Sequence, residues 1–302
     1  MLVNAKTLLL KAKKEKYAIG AFNFTTLEQL KSIIEASIST NQGCILATSE
    51  TAIEYMGIQN IVSLVNNEVK NLELPFALHL DHGKSFEICK KCIDNGYTSV
   101  MIDASNLSYK DNIELTKSVV EYAKTRNVSV EAELGKLKGI EDIVNEKENV
   151  FTSPVEAKDF IQQTAIDSLA ISIGTSHGAY KFIGECKLQI ELLKEINLAT
   201  NNFPLVLHGA SSVSEELKNN FEKSGGKIDN AKGVDDKSIL KAIENGICKI
   251  NVDTDLRIAF TTGVRNCLSK DKVFNLREYL KEGSQEMTKE VINRINLFCN
   301  KK

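Results

Sequence analysis

Phe76-Ala77-Leu78-His79-Leu80-Asp81-His82-Gly83 is an apolar run after Pro75 that ends in ionisable groups and a glycine. Such a run suits a short strand buried on both faces, as in parallel sheets covered by helices. Desolvating an unpaired Asp or His costs several kcal/mol, so the end of this strand is expected to meet partners. Two further strand-like runs also end in His-Gly, at 171–178 (ISIGTSHG) and 205–209 (LVLHG). The chain holds four histidines, His79, His82, His177 and His208, and each of the three runs delivers one at its carboxyl end. Three imidazoles gathered at strand ends describe a metal site with one position left open.

Working outward from this stretch, apolar β-rich runs alternate with amphipathic helical patterns from Ile19 onward. Strands are predicted near 19–24, 44–49, 76–82, 99–104, 129–134, 169–174, 205–209 and 249–252. Helical patterns at 26–40, 60–72, 85–95 and 109–125 are each long enough for a right-handed crossover between parallel strands. Eight such units favour an α/β fold of the TIM-barrel type, (β/α)8, over an open doubly wound sheet. No Gly-x-Gly-x-x-Gly follows the first strand, so dinucleotide binding has no support. The tail 275–302 reads as additional C-terminal helix, placed to pack on the barrel or on a partner subunit. With no repeat and no linker, residues 1–302 are expected to form a single domain.

Composition narrows the class. A 302-residue chain with 42% hydrophobic content can bury a large core, and α/β barrels reach this length as one domain. A net charge of −2 with interspersed signs offers neither a basic stripe for nucleic acid nor a membrane-binding face. No stretch is long enough to span a bilayer. Near the start, Leu8 to Leu10 precede Lys11, Lys13, Lys14 and Lys16, the reverse order of a secretory signal. Seven scattered cysteines predict free thiols in a cytoplasmic protein. Cys89 and Cys92 lie within a helical pattern and lack a second pair at zinc spacing, so a core face is expected for them.

Segment 136–150 is polar and long for a βα loop, which predicts a lid. A Gly- and Lys-rich connection at 224–236 precedes the last barrel helix. A barrel gathers its strand ends on one face. There stand Ser49, Asp81, His82, Asp103, Glu131 and Glu133, then His177 with Gly178, His208 with Gly209 and Ser211, and Asn251 with Asp253 and Thr254. Three imidazoles beside a carboxylate suit Zn²⁺ acting as a Lewis acid on a carbonyl, and neighbouring carboxylates can move protons. Gly178, Gly209, Ser211 and Thr254 offer donors for a phosphate, and Lys181, Arg257 and Arg277 offer cations for a second. Asp103 fits a helix cap as well as a site. Of Glu131 and Glu133, one alone is expected to face the mouth. The combination points to a lyase or isomerase acting on a phosphorylated keto sugar.

The motifs H-L-D-H-G (79–83), M-I-D-A-S (101–105), E-A-E-L-G (131–135), G-T-S-H-G (174–178), L-H-G-A-S (207–211) and N-V-D-T-D-L-R (251–257) carry a resemblance that runs nearly end to end. The chain resembles the class II, zinc-dependent ketose-bisphosphate aldolases, and within them the shorter subgroup of fructose-1,6-bisphosphate aldolases. The resemblance implies His82, His177 and His208 as zinc ligands and leaves His79 a structural role. It implies Asp81 as the acid/base at the C4 hydroxyl and Glu141, on a mobile loop, as the base at the dihydroxyacetone phosphate carbon. Glu133 and Asp103 match carboxylates near a metal that shifts between a resting and a catalytic position. Gly178, Lys181, Gly209, Ser211 and Thr254 match the dihydroxyacetone phosphate end, with a monovalent cation (Na⁺ or K⁺) held nearby. Asn251 matches a residue beside the reacting carbons, Asp253 one that separates C4 epimers, and Arg257 and Arg277 contacts to the other phosphate. Members are homodimers or larger, and in some the residue matching Arg277 reaches across from a neighbouring subunit.

The implied reaction is reversible cleavage of fructose 1,6-bisphosphate to dihydroxyacetone phosphate and glyceraldehyde 3-phosphate, in glycolysis and gluconeogenesis. It needs an electron sink, and no lysine is expected at the end of an apolar strand, so a metal is favoured over a Schiff base. The alternatives are a tagatose-1,6-bisphosphate aldolase and a non-catalytic sugar-phosphate-binding barrel. The latter should lack Asp81, a ligand His or Glu141, and all are present.

Overall fold

The computed structural model describes residues 1–135, 138–141, 144–146, 150–177, 188–228, 231–270 and 272–300, with backbone alone at 138–141, 144–146 and 176–177. Eight parallel strands close into a barrel: β1 (Ile19–Asn23), β2 (Cys44–Ser49), β3 (Phe76–Gly83), β4 (Ser99–Ile102), β5 (Ser129–Leu134), β6 (Ser168–Ile171), β7 (Leu205–Leu207) and β8 (Ile247–Val252). Around the barrel they run β1-β8-β7-β6-β5-β4-β3-β2, with helices in the crossovers, which is the expected (β/α)8 architecture. Each of the eight expected strands is present. Four stop short of their predicted ends, β1 by one residue at Asn23 and three others at Ile102, Ile171 and Leu207, where the chain turns away to build the mouth. Gly174 (φ 110°) and Gly209 (φ 61°) make two of those turns, in backbone that disfavours a Cβ.

Helices Leu27–Thr40, Phe86–Asp94 and Tyr109–Lys124 start where Thr26, Ser85 and Ser108 accept a backbone N–H as N-caps. Cys89 and Cys92 are buried on the core side of Phe86–Asp94. An unanticipated helix, Ala5–Glu15, packs Leu8, Leu9 and Ala12 against Ile19, Ile45 and Ala77 at the amino end of the barrel. The last helix, Leu276–Phe298, lays Val291, Ile295 and Phe298 into the core and packs on Leu27–Thr40 and Thr254–Leu268.

Segment 136–150 contains two strands that the sequence did not suggest. Lys138–Glu141 pairs antiparallel with Val144–Glu146 and parallel with Ser176–His177, forming a small sheet apart from the barrel. Backbone pairing of this kind needs no apolar alternation, so periodicity could not reveal it. No helix among the described residues is long and apolar enough to cross a membrane.

Candidate active site

The barrel interior is polar where a core would be apolar. Register sets His79 level with Ser99 and Glu131 level with Ser168. Lys249 Nζ enters this level from β8 and donates to both Glu131 oxygens at 2.9 Å. Ser168 Oγ donates to Glu131 Oε2 at 3.2 Å, and His208 Nε2 lies 2.8 Å from Oε1. Burial would raise the Glu131 carboxyl, but the ammonium of Lys249, and after it His208, hold it below the ordinary range. His79 Nδ1 sits 2.8 Å from Ser99 Oγ and Nε2 sits 3.4 Å from Lys249 Nζ. Burial and then the Lys249 charge push the His79 imidazole down to about 3, so it is neutral.

Lys249→Met would leave Glu131 buried without its counter-charge. We expect it to cost about 3–5 kcal/mol of unfolding free energy, and pairing it with Glu131→Gln should recover part of that. Urea denaturation of the two variants checks this, and equal losses would refute the pairing.

Glu131 and Glu133 both point inward, but Glu133 alone stands at the level of the mouth, so one of the two faces it as expected. Residues two apart on a strand share a face, so the two carboxylates stack, Glu131 below and Glu133 at the mouth. Burial first, then the Asp103 charge, push the Glu133 carboxyl up to about 8. Its Oε2 is buried without a hydrogen-bond partner, 3.7 Å from His82 Nδ1.

His82 occupies a bulge where the β3–β4 register slips between Leu80 and Gly83, with φ 50°. That left-handed backbone is costly for a non-glycine residue, and the bulge re-aims the imidazole across the mouth. Its Nε2 lies 2.9 Å from His208 Nδ1, and its Nδ1 lies 2.8 Å from Asp103 Oδ2. Asp81, one residue earlier, accepts Asn23 Nδ2 at 2.9 Å on Oδ2 and Asn251 Nδ2 at 2.8 Å on Oδ1. Burial opposes ionisation of Asp81, but His82, His208 and Lys249 outweigh it and lower the carboxyl. Asn23, Asp81, His82, His208, Gly209, Ser211, Asn251 and Asp253 together line a narrow cleft.

Ligand atoms from Asp81, His82 and His208, and from His82, Asp103 and Glu133, form two groups, each within 4.8 Å. Imidazole nitrogens that converge on each other, mixed with carboxylate oxygens and one orphaned Glu133 oxygen, are a donor set that fits a divalent ion.

A model of the family "Fructose-bisphosphate aldolase class-II" matches residues 3–302. The chain belongs to this family. It is thereby an aldolase, a carbon–carbon lyase. The chain is 46% identical to a fructose-bisphosphate aldolase of Helicobacter pylori, covering 99% of this chain and 98% of that one. A fructose-bisphosphate aldolase of Thermus caldophilus is 44% identical, over 99% and 98%. Among solved structures, the YdjI aldolase of Escherichia coli K12 superposes with a TM-score of 0.81 at 27% identity, covering 99% of this chain and 97% of that one. Fructose-bisphosphate aldolase from Campylobacter jejuni shares the fold, with a TM-score of 0.76 at 21% identity over 99% and 96%.

The fold brings several aldolase candidates together and leaves others apart. Gly178 and Lys181 lie outside the described residues, as do the side chains of Glu141 and His177. Ser49 ends β2 and caps helix Glu50–Met56. Thr254 opens helix Thr254–Leu268, and Ser211 is buried beside His208 and Gly209. Arg257 grips Asp253 with Nε–Oδ1 at 2.9 Å and Nη2–Oδ2 at 2.7 Å, so Asp253 is a paired carboxylate. Arg277 is exposed in the first turn of Leu276–Phe298 and joins none of these contacts. Asp103 is not the helix cap the sequence allowed, since Ser108 caps the following helix; its Oδ1 accepts from the N–H and hydroxyl of Ser105 in the turn after β4, while Oδ2 faces His82.

Four participants were not anticipated. Asn23 and Lys249 were visible as single polar residues within apolar runs. Asp255, fully buried, accepts the N–H groups of Ser212 and Val213 at 2.8 and 2.9 Å. It thereby holds the turn after Ser211, where Val213 has φ 44°. Lys84 directly follows β3, with Nζ 2.5 Å from Asp103 Oδ2, which corrects the expectation that no lysine ends an apolar strand.

Proposed function

We propose that this chain cleaves fructose 1,6-bisphosphate reversibly to dihydroxyacetone phosphate and glyceraldehyde 3-phosphate. The observation that carries this reading is the ionised Asp81, held by Asn23 and Asn251, beside the converging nitrogens of His82 and His208 at the barrel mouth. His82, His208 and His177 would hold zinc, with Asp103 and Glu133 within reach. When bound, zinc supplies a Lewis acid for the substrate carbonyl. Asp81 takes the C4 hydroxyl proton as the C3–C4 bond breaks, and Asn251 keeps its carboxylate aimed there. Glu141 exchanges the proton at the dihydroxyacetone phosphate carbon.

Gly178, Lys181, Gly209, Ser211 and Thr254 receive one phosphate, with Na⁺ or K⁺ nearby, and Ser49 lies at the rim. Arg277 serves the other phosphate together with Arg257. We assign the chain to the cytoplasm, as one domain over 1–302, in a homodimer or larger assembly, working in glycolysis and gluconeogenesis. The scattered buried thiols Cys44, Cys89, Cys92, Cys248 and Cys267 support a reducing compartment.

Sugar choice tests the reading. Fructose and tagatose bisphosphates differ in the C4 hydroxyl, and a site built to pair one hydroxyl leaves polar groups unpaired with the other, at roughly 2–3 kcal/mol. Asp253, fixed by the Arg257 fork, is placed to make that distinction. We expect kcat/KM to favour fructose 1,6-bisphosphate by about 30-fold or more, and Asp253→Ala to narrow the gap. Comparable cleavage of both sugars by the native protein would favour the tagatose reading, and no cleavage of either the binding-barrel reading.

A further inference from the structure

The two three-donor groups at the mouth share His82. A neutral imidazole carries one ring hydrogen and one free lone pair, so His82 can serve only one group at a time. If Nδ1 keeps the hydrogen, Nε2 is the ligand and the ion sits with His208, beside Asp81. If Nε2 keeps it, Nδ1 is the ligand and the ion sits with Asp103 and Glu133. We propose that Lys84 is a positioning residue that selects between these two places, committing the ion to the His82–His208 group. This rests on the metal site proposed above.

Asp103 decides the matter because its acceptor capacity is filled by the protein. Oδ1 takes the N–H of Ser105 at 3.2 Å and its hydroxyl at 2.7 Å. Oδ2 takes Lys84 Nζ at 2.5 Å and lies 2.8 Å from His82 Nδ1. An ammonium only donates, so Lys84 keeps Oδ2 an acceptor and its charge stands where a cation would otherwise be drawn. His82 then donates its Nδ1 hydrogen to Asp103 and presents Nε2 to His208. Glu133, the remaining member of the second group, keeps Oε2 without a hydrogen bond.

The backbone holds Lys84 to this duty. Its N–H donates to Glu50 Oε1 at 2.6 Å, and Gly83 before it lies against neighbouring atoms with no room for a side chain. A Cβ at Gly83 would stand 2.6 Å from Leu80 Cδ2 and 2.8 Å from the Met101 carbonyl oxygen. The Lys84 side chain is still 27% exposed, so replacing it should not unfold the barrel. The other described donors to Asp103 cannot be removed so cleanly, since Ser105 donates from the turn itself and His82 belongs to both metal groups.

Co²⁺ is the probe, because its visible band is strong in a nitrogen-rich site of low coordination and weak in an oxygen-rich one of higher coordination. Metal-free native protein should take up one Co²⁺ per chain with a strong band. Lys84→Met and Lys84→Gln should also take up one, with the band reduced to roughly half or less as the ion divides between the groups. Lys84→Arg, which restores the charge, should match the native spectrum. Matching Tm values for the metal-free proteins separate this from misfolding. Bands of Lys84→Met and Lys84→Gln that superpose on the native one, at equal uptake, overturn the role of Lys84 alone. No uptake by the native protein overturns the metal reading itself.

Discussion

Removing divalent metal with a chelator should lower the cleavage rate by about 10³-fold or more, and Zn²⁺ or Co²⁺ should restore it. A Lewis acid at a carbonyl is worth several kcal/mol of transition-state stabilisation, and each 1.36 kcal/mol is tenfold in rate. The described residues offer no ready substitute for that term. A Schiff base needs a lysine with a free lone pair, and the two lysines at the described site are each tied to a carboxylate. Lys84 Nζ is 2.5 Å from Asp103, and Lys249 Nζ is 2.9 Å from both oxygens of Glu131. An ammonium that donates to a carboxylate has no free lone pair to offer a carbonyl. Two results would sink the expectation: full activity in metal-free protein, or borohydride trapping of substrate on a lysine.

The architecture was legible because parallel strands under helices read as unbroken apolar runs, and eight such runs alternate with helical periodicity. The site was legible where chemistry sits at the end of such a run, as with Asp81, His82 and His208. What escaped was set by geometry that periodicity does not encode. The bulge that turns His82 across the mouth leaves no trace in the alternation of β3, and neither does the reach of Lys84 back to Asp103. Glu131 and Glu133 were readable in principle, since residues two apart share a strand face. The polar layer beneath the mouth was also readable: a lone Lys249 between Cys248 and Ile250 needs a buried counter-charge, and the inward Glu131 supplies it. The Asp253–Arg257 fork follows the i, i+4 spacing that puts two side chains on one helical face.

Asp81→Asn should lower kcat for fructose 1,6-bisphosphate cleavage by about 10³-fold while leaving the fold intact, within the range that removal of a general acid/base produces. The substitution is well suited to separate chemistry from structure. Asp81 accepts one N–H from each of Asn23 and Asn251, and an amide in its place would present one donor to a donor. The flanking amides can absorb this, because Asn23 Oδ1 and Asn251 Oδ1 are both buried without partners. Turning either amide over offers an acceptor to the new donor, so the network survives and Tm should change little. Asp81 acts at the C4 hydroxyl, whereas the proton at the dihydroxyacetone phosphate carbon belongs to Glu141 in the proposed scheme. Proton exchange into dihydroxyacetone phosphate should therefore fall by less than about tenfold in Asp81→Asn while cleavage collapses. Asp81 also belongs, with His82 and His208, to a donor group that could hold a metal, so bound metal must be counted in the same samples. Unchanged metal content with exchange retained and cleavage lost assigns Asp81 to the C4 proton. Loss of metal, or loss of exchange in step with cleavage, would place Asp81 in holding the ion instead.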